Sequence, residues 1–233
     1  MEDFIFTLKM IIIGLVQGFT EPIPVSSSGH VMIASELLGV GEQGFTFAIL
    51  TNTASLLAIL LIYRQDIIRL ATNSISYVQK KDTRYKSDFR FVLFIIIGTI
   101  PAGILGVLLS DWIAESISLT VIAIMLFITG LALWTIRNMK GTKGEKDLTA
   151  KDAWIVGLGQ AVALTPGISR SGATIISSIA VGMKQKTALR FSFMLYIPIS
   201  LGGVVLGLSD FIDEPNKAEL AIPYLAAFVS TFI

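Results

Sequence analysis

The side chains in this sequence that could do chemistry are concentrated in one stretch, QGFTEPIPVSSSGH at residues 17–30. It contains Glu21, three consecutive serines at 26–28, and His30, which is the single histidine of the chain. A serine oxygen becomes a nucleophile when a neighbouring base accepts its proton, and either Glu21 or His30 could be that base. Glu21 could instead hold a divalent cation, because hard cations prefer carboxylate and phosphate oxygens.

A second stretch, QAVALTPGISRSG at residues 160–172, resembles the first at a constant offset. Its Arg170 offers a planar guanidinium that matches phosphate oxygens. At an offset of 143 and without a gap, six residues between 14 and 29 are identical: Gly14, Leu15, Gln17, Ser26, Ser28 and Gly29 match Gly157, Leu158, Gln160, Ser169, Ser171 and Gly172. This spacing predicts an internal structural repeat.

Each stretch has the residues of a helix break followed by a helix start. Pro22 and Pro24 should stop the first incoming helix, because proline lacks an N–H and disfavours helix at the residue before it. Pro166 and Gly167 should do the same in the second stretch. The serines then precede apolar segments that predict helices through 31–38 and from about 173. Two helix N-termini that point at one place would form an anion site, for which phosphate is a common occupant.

The composition indicates an integral membrane protein. The chain is 53% hydrophobic and 15% charged, whereas soluble domains carry about a quarter charged residues. It has no cysteine, which excludes disulfides, zinc–thiolate sites and thiol catalysis. A helix needs about 20 apolar residues to span a bilayer. Full-length candidates are Phe45–Tyr63, Phe91–Leu109, Ile117–Ile136 and Phe191–Leu208, and shorter runs are Phe4–Val16, Val31–Val40, Ala153–Leu164 and Ala173–Met183.

The short runs flank the two polar stretches in pairs, which is typical of re-entrant hairpins with polar tips. Three spans separate the pairs, and an odd number inverts the second copy. We therefore predict an all-α polytopic membrane protein, an inverted-topology repeat whose two re-entrant helical hairpins meet near the bilayer midplane. Residues 1–233 form one domain, with repeat one at about 1–136 and repeat two at about 153–233. Repeat two lacks counterparts of the last two spans of repeat one, so we expect a C-terminally truncated chain.

The distribution of charge predicts the orientation. Of the 18 lysines and arginines, 15 fall in residues 64–90, 137–151 and 184–190, which the positive-inside rule makes cytoplasmic. The acidic turns Ser110–Ser116 and Asp210–Glu219 are expected outside. The basic segment 64–90 is interpreted as a solvated face. Its residues 70–78 are too mixed to predict an amphipathic helix.

The two motifs, QGFTEPIPVSSSGH and TPGISRSG, resemble the signature motifs of the undecaprenyl-diphosphate phosphatase family, also known as the bacitracin-resistance phosphatases. The segments SLLAILLIYRQDI, IGTIPAGILG and LRFSFMLYIP are similar to family segments as well. The resemblance implies a multi-pass enzyme of the bacterial plasma membrane that hydrolyses undecaprenyl diphosphate to the monophosphate, recycling the lipid carrier of cell-wall synthesis. It also implies dependence on a divalent metal, Mg²⁺ or Ca²⁺.

Carried onto this chain, the resemblance implies Ser27 as the nucleophile, with Glu21, His30 and Arg170 as the other catalytic residues and Glu21 as the metal ligand. The family's second acidic position falls on Gln17, an amide, which puts a second metal-binding carboxylate in doubt. Asn52 stands where glutamine or histidine is expected, which weakens a role for that position. The predicted substrate contacts are Gln17, Ser26, Ser28, Gly29, Ser169, Ser171 and Gly172.

Other interpretations of these residues remain open. A lone histidine beside an apolar run is often satisfied by a core hydrogen bond, and single serines often only cap helices. A transporter of polyprenyl phosphate or small anions would also use an inverted repeat with a midplane anion site, but it would not need a nucleophile beside a base. The expected partners are the lipid diphosphate and the bilayer, with no nucleic acid, and the sequence leaves a homodimer open.

Overall fold

The computed structural model describes residues 1–41, 44–109, 118–213 and 217–233, and in them the protein is helical. Two short 3₁₀ turns, Thr83–Tyr85 and Glu145–Asp147, accompany the longer helices. The α-helices of the described residues are α1 Glu2–Thr20, α2 Ser27–Leu37, α3 Gly44–Ile62, α4 Arg64–Lys80, α5 Lys86–Leu108, α6 Leu119–Ile136, α7 Ala150–Val162, α8 Arg170–Ala180, α9 Gln185–Asp213 and α10 Lys217–Phe232.

The helices confirm a multi-pass membrane protein, with some differences from the predicted spans. In the described residues, the segments long and apolar enough to cross a bilayer are Glu2–Thr20, Thr83–Leu108, Leu119–Ile136 and Gln185–Gly207. The N-terminal helix is therefore longer than the predicted Phe4–Val16 run. The predicted span Phe45–Tyr63 qualifies only together with α4, from which it is bent by 72°. Large exposed side chains such as Phe127 and Val205 give these helices an apolar outer surface.

The two short helices α2 and α8 have the same frame at an offset of 143. Each has 11 residues. Each ends in the same turn, in which a glycine of positive φ follows the C-cap, Gly39 at 62° and Gly182 at 92°. The backbone hydrogen bonds of the two turns also correspond, since Val40 donates to Ser35 and Met183 donates to Ser178. This is the pairing of a left-handed helix end.

The helices pack in an exchanged pattern, in which α1 and α7 each pack against a helix from the other half of the chain. Helix α1 lies along α10, and α7 lies along α5. Both contacts require a glycine. A Cβ on Gly14 would come within 2.4 Å of the Ala227 carbonyl oxygen, and one on Gly157 within 2.5 Å of the Gly98 carbonyl oxygen. One buried cluster lies among α5, α7, α8 and α9, a second among α1, α3 and α10, and a third joins α3 to α9. The candidate site combines residues from both halves of the chain, because Arg170 contacts Glu21.

The segments that connect the spans differ from expectation in one place. Residues 64–80 form the helix α4, so the prediction that residues 70–78 are too mixed for an amphipathic helix is wrong. The mixture arises because α4 has two apolar sides, one against α5 through Leu70 and one exposed at Ile68 and Ile75. The acidic turn Ser110–Ser116 and the side chains of Asp210–Glu219, both expected outside, lie outside the described residues.

Candidate active site

The first tip, residues 21–30, is built by a helix stop and a strained helix start. Helix α1 ends at Thr20, as the two prolines that follow predict. The chain then turns, and α2 begins at Ser27 after Ser26, whose φ of 67° is unusual for a residue with a Cβ. This places Ser27 at the first position of α2. Glu21 comes within reach of it across the turn.

Glu21 accepts hydrogen bonds from three neighbours. The Ser27 hydroxyl donates to its Oε2 at 2.5 Å, and Gln17 Nε2 donates to the same oxygen at 2.7 Å. Arg170 Nη2 donates to Oε1 at 3.1 Å. The Glu21 side chain is 10% exposed and the Arg170 side chain 29%. A nearly buried charge needs such partners, because an unpaired one would be costly.

The second tip, residues 163–172, has a relaxed helix start. Ser169 is in an extended conformation and accepts a hydrogen bond from the Gly172 N–H at 3.0 Å, which is an ordinary N-cap. Arg170 is the first residue of α8. The tips touch, since a Cβ on Gly172 would lie 3.1 Å from the carbonyl oxygen of Pro24. Both tips rest on α6, through Gly29 against Ile122 and Leu126, and through the Ser169 N–H on Thr129 Oγ1 at 3.4 Å.

Arg170 is held on its other side by α3 and α9. Its Nη1 donates to Ser200 Oγ at 3.0 Å, and its Nη2 also donates to Asn52 Oδ1 at 3.4 Å. The guanidinium lies over the ring of Tyr196, 4.3 Å from the centroid. The Tyr196 hydroxyl donates to Asn52 Oδ1 at 3.0 Å. Stacking and hydrogen bonds together fix the plane of the guanidinium.

Comparison with known proteins identifies the family of this chain. A family model described as bacitracin resistance protein BacA matches residues 10–233. The chain belongs to this family. It is 54% identical over 234 residues to undecaprenyl-diphosphatase 1 of Bacillus cereus, a match that covers 100% of this chain and 87% of the relative. It is 54% identical to undecaprenyl-diphosphatase of Oceanobacillus iheyensis, over 100% of this chain and 86% of the relative.

The contacts in the structure show where the predicted residues lie. The structure brings Gln17, Glu21, Ser27 and Arg170 together. The hydrogen bond of His30 is to the backbone next to Ser27, since its Nδ1 is 2.9 Å from the carbonyl oxygen of Ser26. A carbonyl oxygen can only accept, so Nδ1 carries a hydrogen. Of the two bases the sequence left open, the structure places Glu21 on the Ser27 hydroxyl.

The remaining predicted contacts line the two helix starts. Ser26 Oγ is 3.4 Å from Ser28 Oγ, and the equivalent pair, Ser169 Oγ and Ser171 Oγ, is 3.3 Å apart. The Ser169 hydroxyl caps α8, which agrees with the alternative interpretation that single serines often only cap helices. Hydroxyls with such near neighbours can reorient to donate to an anion.

Sequence reasoning missed the residues that support the site from the spans. Asn52 was discounted and Tyr196, Ser200 and Ser55 were not singled out, yet the first three hold Arg170 and Ser55 Oγ accepts from Gln17 Nε2 at 3.5 Å. A signal was present in the sequence. Polar residues recur every three or four positions inside otherwise apolar spans, at 52 and 55 and at 192, 196 and 200. That period places them on one face of each helix.

The donor set near the first tip suits a hard divalent cation only with help from the substrate. Its oxygens come from one carboxylate, Glu21, with amide and hydroxyl groups around it. Across the described residues, no three carboxylate or histidine groups cluster as a metal site would require. Mg²⁺ is commonly bound through one or two carboxylates together with substrate phosphates. The residues present fit that mode and do not form a cage of protein ligands.

Proposed function

We propose that this protein hydrolyses undecaprenyl diphosphate to undecaprenyl phosphate and inorganic phosphate at the site formed by Glu21, Ser27 and Arg170. The observation that carries the proposal is the chain of contacts from the Ser27 hydroxyl through the Glu21 carboxylate to the Arg170 guanidinium. A nucleophile, a proton acceptor and a fixed cation are what phosphoryl transfer needs. The relatives named above, which are undecaprenyl-diphosphatases, support the same activity.

The residues take the following roles. Ser27 Oγ attacks the terminal phosphorus and gives its proton to Glu21, while the bond from that phosphorus to the bridging oxygen breaks and undecaprenyl phosphate leaves. Water then attacks the phosphoserine, its hydroxyl joins the phosphorus and its proton passes to the departing Ser27 oxygen, which releases phosphate, while Glu21 gives the proton it accepted to solvent. Arg170 binds the phosphoryl oxygens, where charge is spread in the transition state. The N–H groups of the two helix starts and the serine hydroxyls add donors around the same anion.

His30 and a divalent cation complete the proposed site. Because His30 Nδ1–H is engaged by Ser26, its Nε2 is the nitrogen that can exchange a proton with the substrate or water. Glu21 would hold the cation, Mg²⁺ or Ca²⁺, together with the substrate phosphates. When bound, the cation neutralises charge on the phosphate oxygens. A homodimer of this chain stays a prediction.

The membrane arrangement is also a proposal. We place both hairpins, α1–α2 and α7–α8, as inverted repeats that enter the bilayer of a bacterial plasma membrane from opposite sides. The identical bounds of α2 and α8 at an offset of 143, and the exchanged packing of α1 on α10 and α7 on α5, support it. The touching tips would then lie near the midplane, where lipid diphosphate arrives laterally.

The test is release of phosphate from undecaprenyl diphosphate by the purified protein. Ser27→Ala should lower the rate by about 10³-fold or more, as loss of a nucleophile does, and Arg170→Ala by about 10³-fold. Ser35→Ala on the same helix is the control, because the Ser35 hydroxyl is buried and has no hydrogen-bond partner among the described residues. If both site variants fold and keep near-wild-type rates, the mechanism is wrong. Movement of intact polyprenyl phosphate across vesicles without phosphate release would favour the transporter.

A further inference from the structure

Helix α4 has an exposed apolar stripe that the catalytic site does not use. Ile68, Ile75 and Val78 are 61%, 56% and 54% exposed, and their spacing places them on one side of the helix. Another side packs on α5, where Leu70 is buried and Asn73 Nδ2 donates to Asp88 Oδ2 at 2.6 Å. Polar residues at 69, 72, 76 and 80 form the remaining side.

Helix α4 runs in a different direction from α3, the helix that precedes it. Helix α3 ends at Ile62 and α4 begins at Arg64 after a bend of 72°. If α3 crosses the bilayer, α4 runs close to the membrane plane. Exposed apolar side chains lie on both sides of the bend, at Leu61 and Ile62 at the end of α3 and at Ile68 on α4. If α3 crosses the bilayer, the stripe therefore follows directly in sequence on a helix end whose exposed apolar side chains meet lipid.

The charge of this region identifies the kind of surface it meets. Residues 64–90 contain seven lysines and arginines and three acidic residues. Arg69 is paired with Asp66, at 2.6 Å, whereas Lys80 and Lys81, at the end of α4, are exposed. Anionic headgroups attract such basic residues when these lie beside a membrane-embedded segment.

We propose that α4 is an interfacial helix whose Ile68–Ile75–Val78 stripe inserts into the boundary between headgroups and acyl chains of a leaflet, and that Lys80 and Lys81 recruit anionic lipid to it. Such helices bury an apolar face while a basic face stays in water. The proposal does not depend on the hydrolytic mechanism.

The absence of cysteine from the sequence makes a clean test available. Single variants Ile75→Cys and Ser76→Cys, adjacent in sequence but about 100° apart around the helix, are labelled with bimane in the full chain. The proteins are placed in nanodiscs with phosphatidylglycerol or phosphatidylcholine carrying a nitroxide near the headgroup. Label at 75 should be quenched at least about twofold more than label at 76. Equal quenching would overturn the insertion.

A second comparison tests whether α4 prefers anionic lipid. Quenching at 75 by nitroxide phosphatidylglycerol should exceed that by phosphatidylcholine. Lys80→Gln with Lys81→Gln should reduce this preference by about twofold or more. The control, Lys140→Gln with Lys146→Gln, removes the same charge elsewhere and should leave the preference intact. An unchanged preference in the first pair would overturn the recruitment. Chain-to-chain cross-linking through Cys at 75 without quenching would assign the stripe to a second copy and overturn the proposal.

Discussion

The two tips lead into helices of one frame but carry different chemistry. The helices that follow them have equal lengths and matching C-terminal turns. At an offset of 143, Ser27 and Arg170 occupy the same place, the first residue of a short helix, and both side chains contact the Glu21 carboxylate. The frame directs both side chains to one point. Which role each tip has then depends on one residue type, a hydroxyl in the first and a guanidinium in the second.

The backbone conformation and the hydrogen bonds around the two tips also differ. The first tip has a positive φ at Ser26, and its buried Gln17 donates to Glu21. The second has an ordinary cap at Ser169, and its buried Gln160 has no hydrogen-bond partner among the described residues. Strain and polar pairing concentrate where we place the nucleophile, which is common at active sites. The second tip instead obtains its order from α3 and α9, which hold the guanidinium.

Among changes outside Glu21, Ser27 and Arg170, the largest effect is expected from the support under the second tip. Tyr196→Leu removes the ring beneath Arg170 and frees Asn52, so the guanidinium should lose its fixed plane and kcat/KM for phosphate release should fall by about 10-fold to 100-fold. Tyr196→Phe keeps the ring and should cost less than about tenfold. A folded Tyr196→Leu protein with the wild-type rate would show that Arg170 needs no such support.

An intermediate effect is expected from the equivalent glutamines. Gln17→Leu removes a donor from the Glu21 carboxylate and should slow phosphate release by about tenfold. Gln160→Leu removes an unpartnered buried amide, so activity should be retained and the free energy of unfolding should rise by about 1 kcal/mol. Thermal unfolding and rate assays on both variants give the comparison. Equal losses of activity would mean that the second tip has a polar role that its contacts do not reveal.

The smallest effect concerns the two helix starts. Ser26→Gly relieves a positive φ and should raise the unfolding temperature, whereas Ser169→Ala removes a cap and should lower it by about 2–4 °C, the equivalent of ~1 kcal/mol. Differential scanning fluorimetry in detergent measures both. Shifts of the same sign would contradict the assignment of strain to the first tip alone.

Local chemistry explains what the sequence could predict. The prolines at 22 and 24 marked the end of α1, and the matching serines and glycines located both tips, because these residues act through their own backbone. The extent of α1 was underestimated. Gln17 and Thr20 interrupt the apolar run but do not stop a helix, which continues until a proline does.

Contacts between distant segments could not be predicted in the same way. The hydrogen bond from Tyr196 to Asn52 joins residues 144 positions apart, and no pattern within either span names its partner. Helix α4 was missed for a related reason. A helix with one apolar side against protein and another exposed looks mixed when read along the sequence, and only the position of α5 separates the two sides.

The central claim is that both tips act on one phosphate, and a double-mutant cycle tests it most directly. Glu21→Gln and Arg170→Lys should each lower the rate of phosphate release from undecaprenyl diphosphate, by about 10²-fold or more. If the two side chains work as one unit, the combined variant should lose clearly less than the product of the single losses. Losses that multiply, in a protein that remains folded, would mean that the tips act separately and would contradict the account.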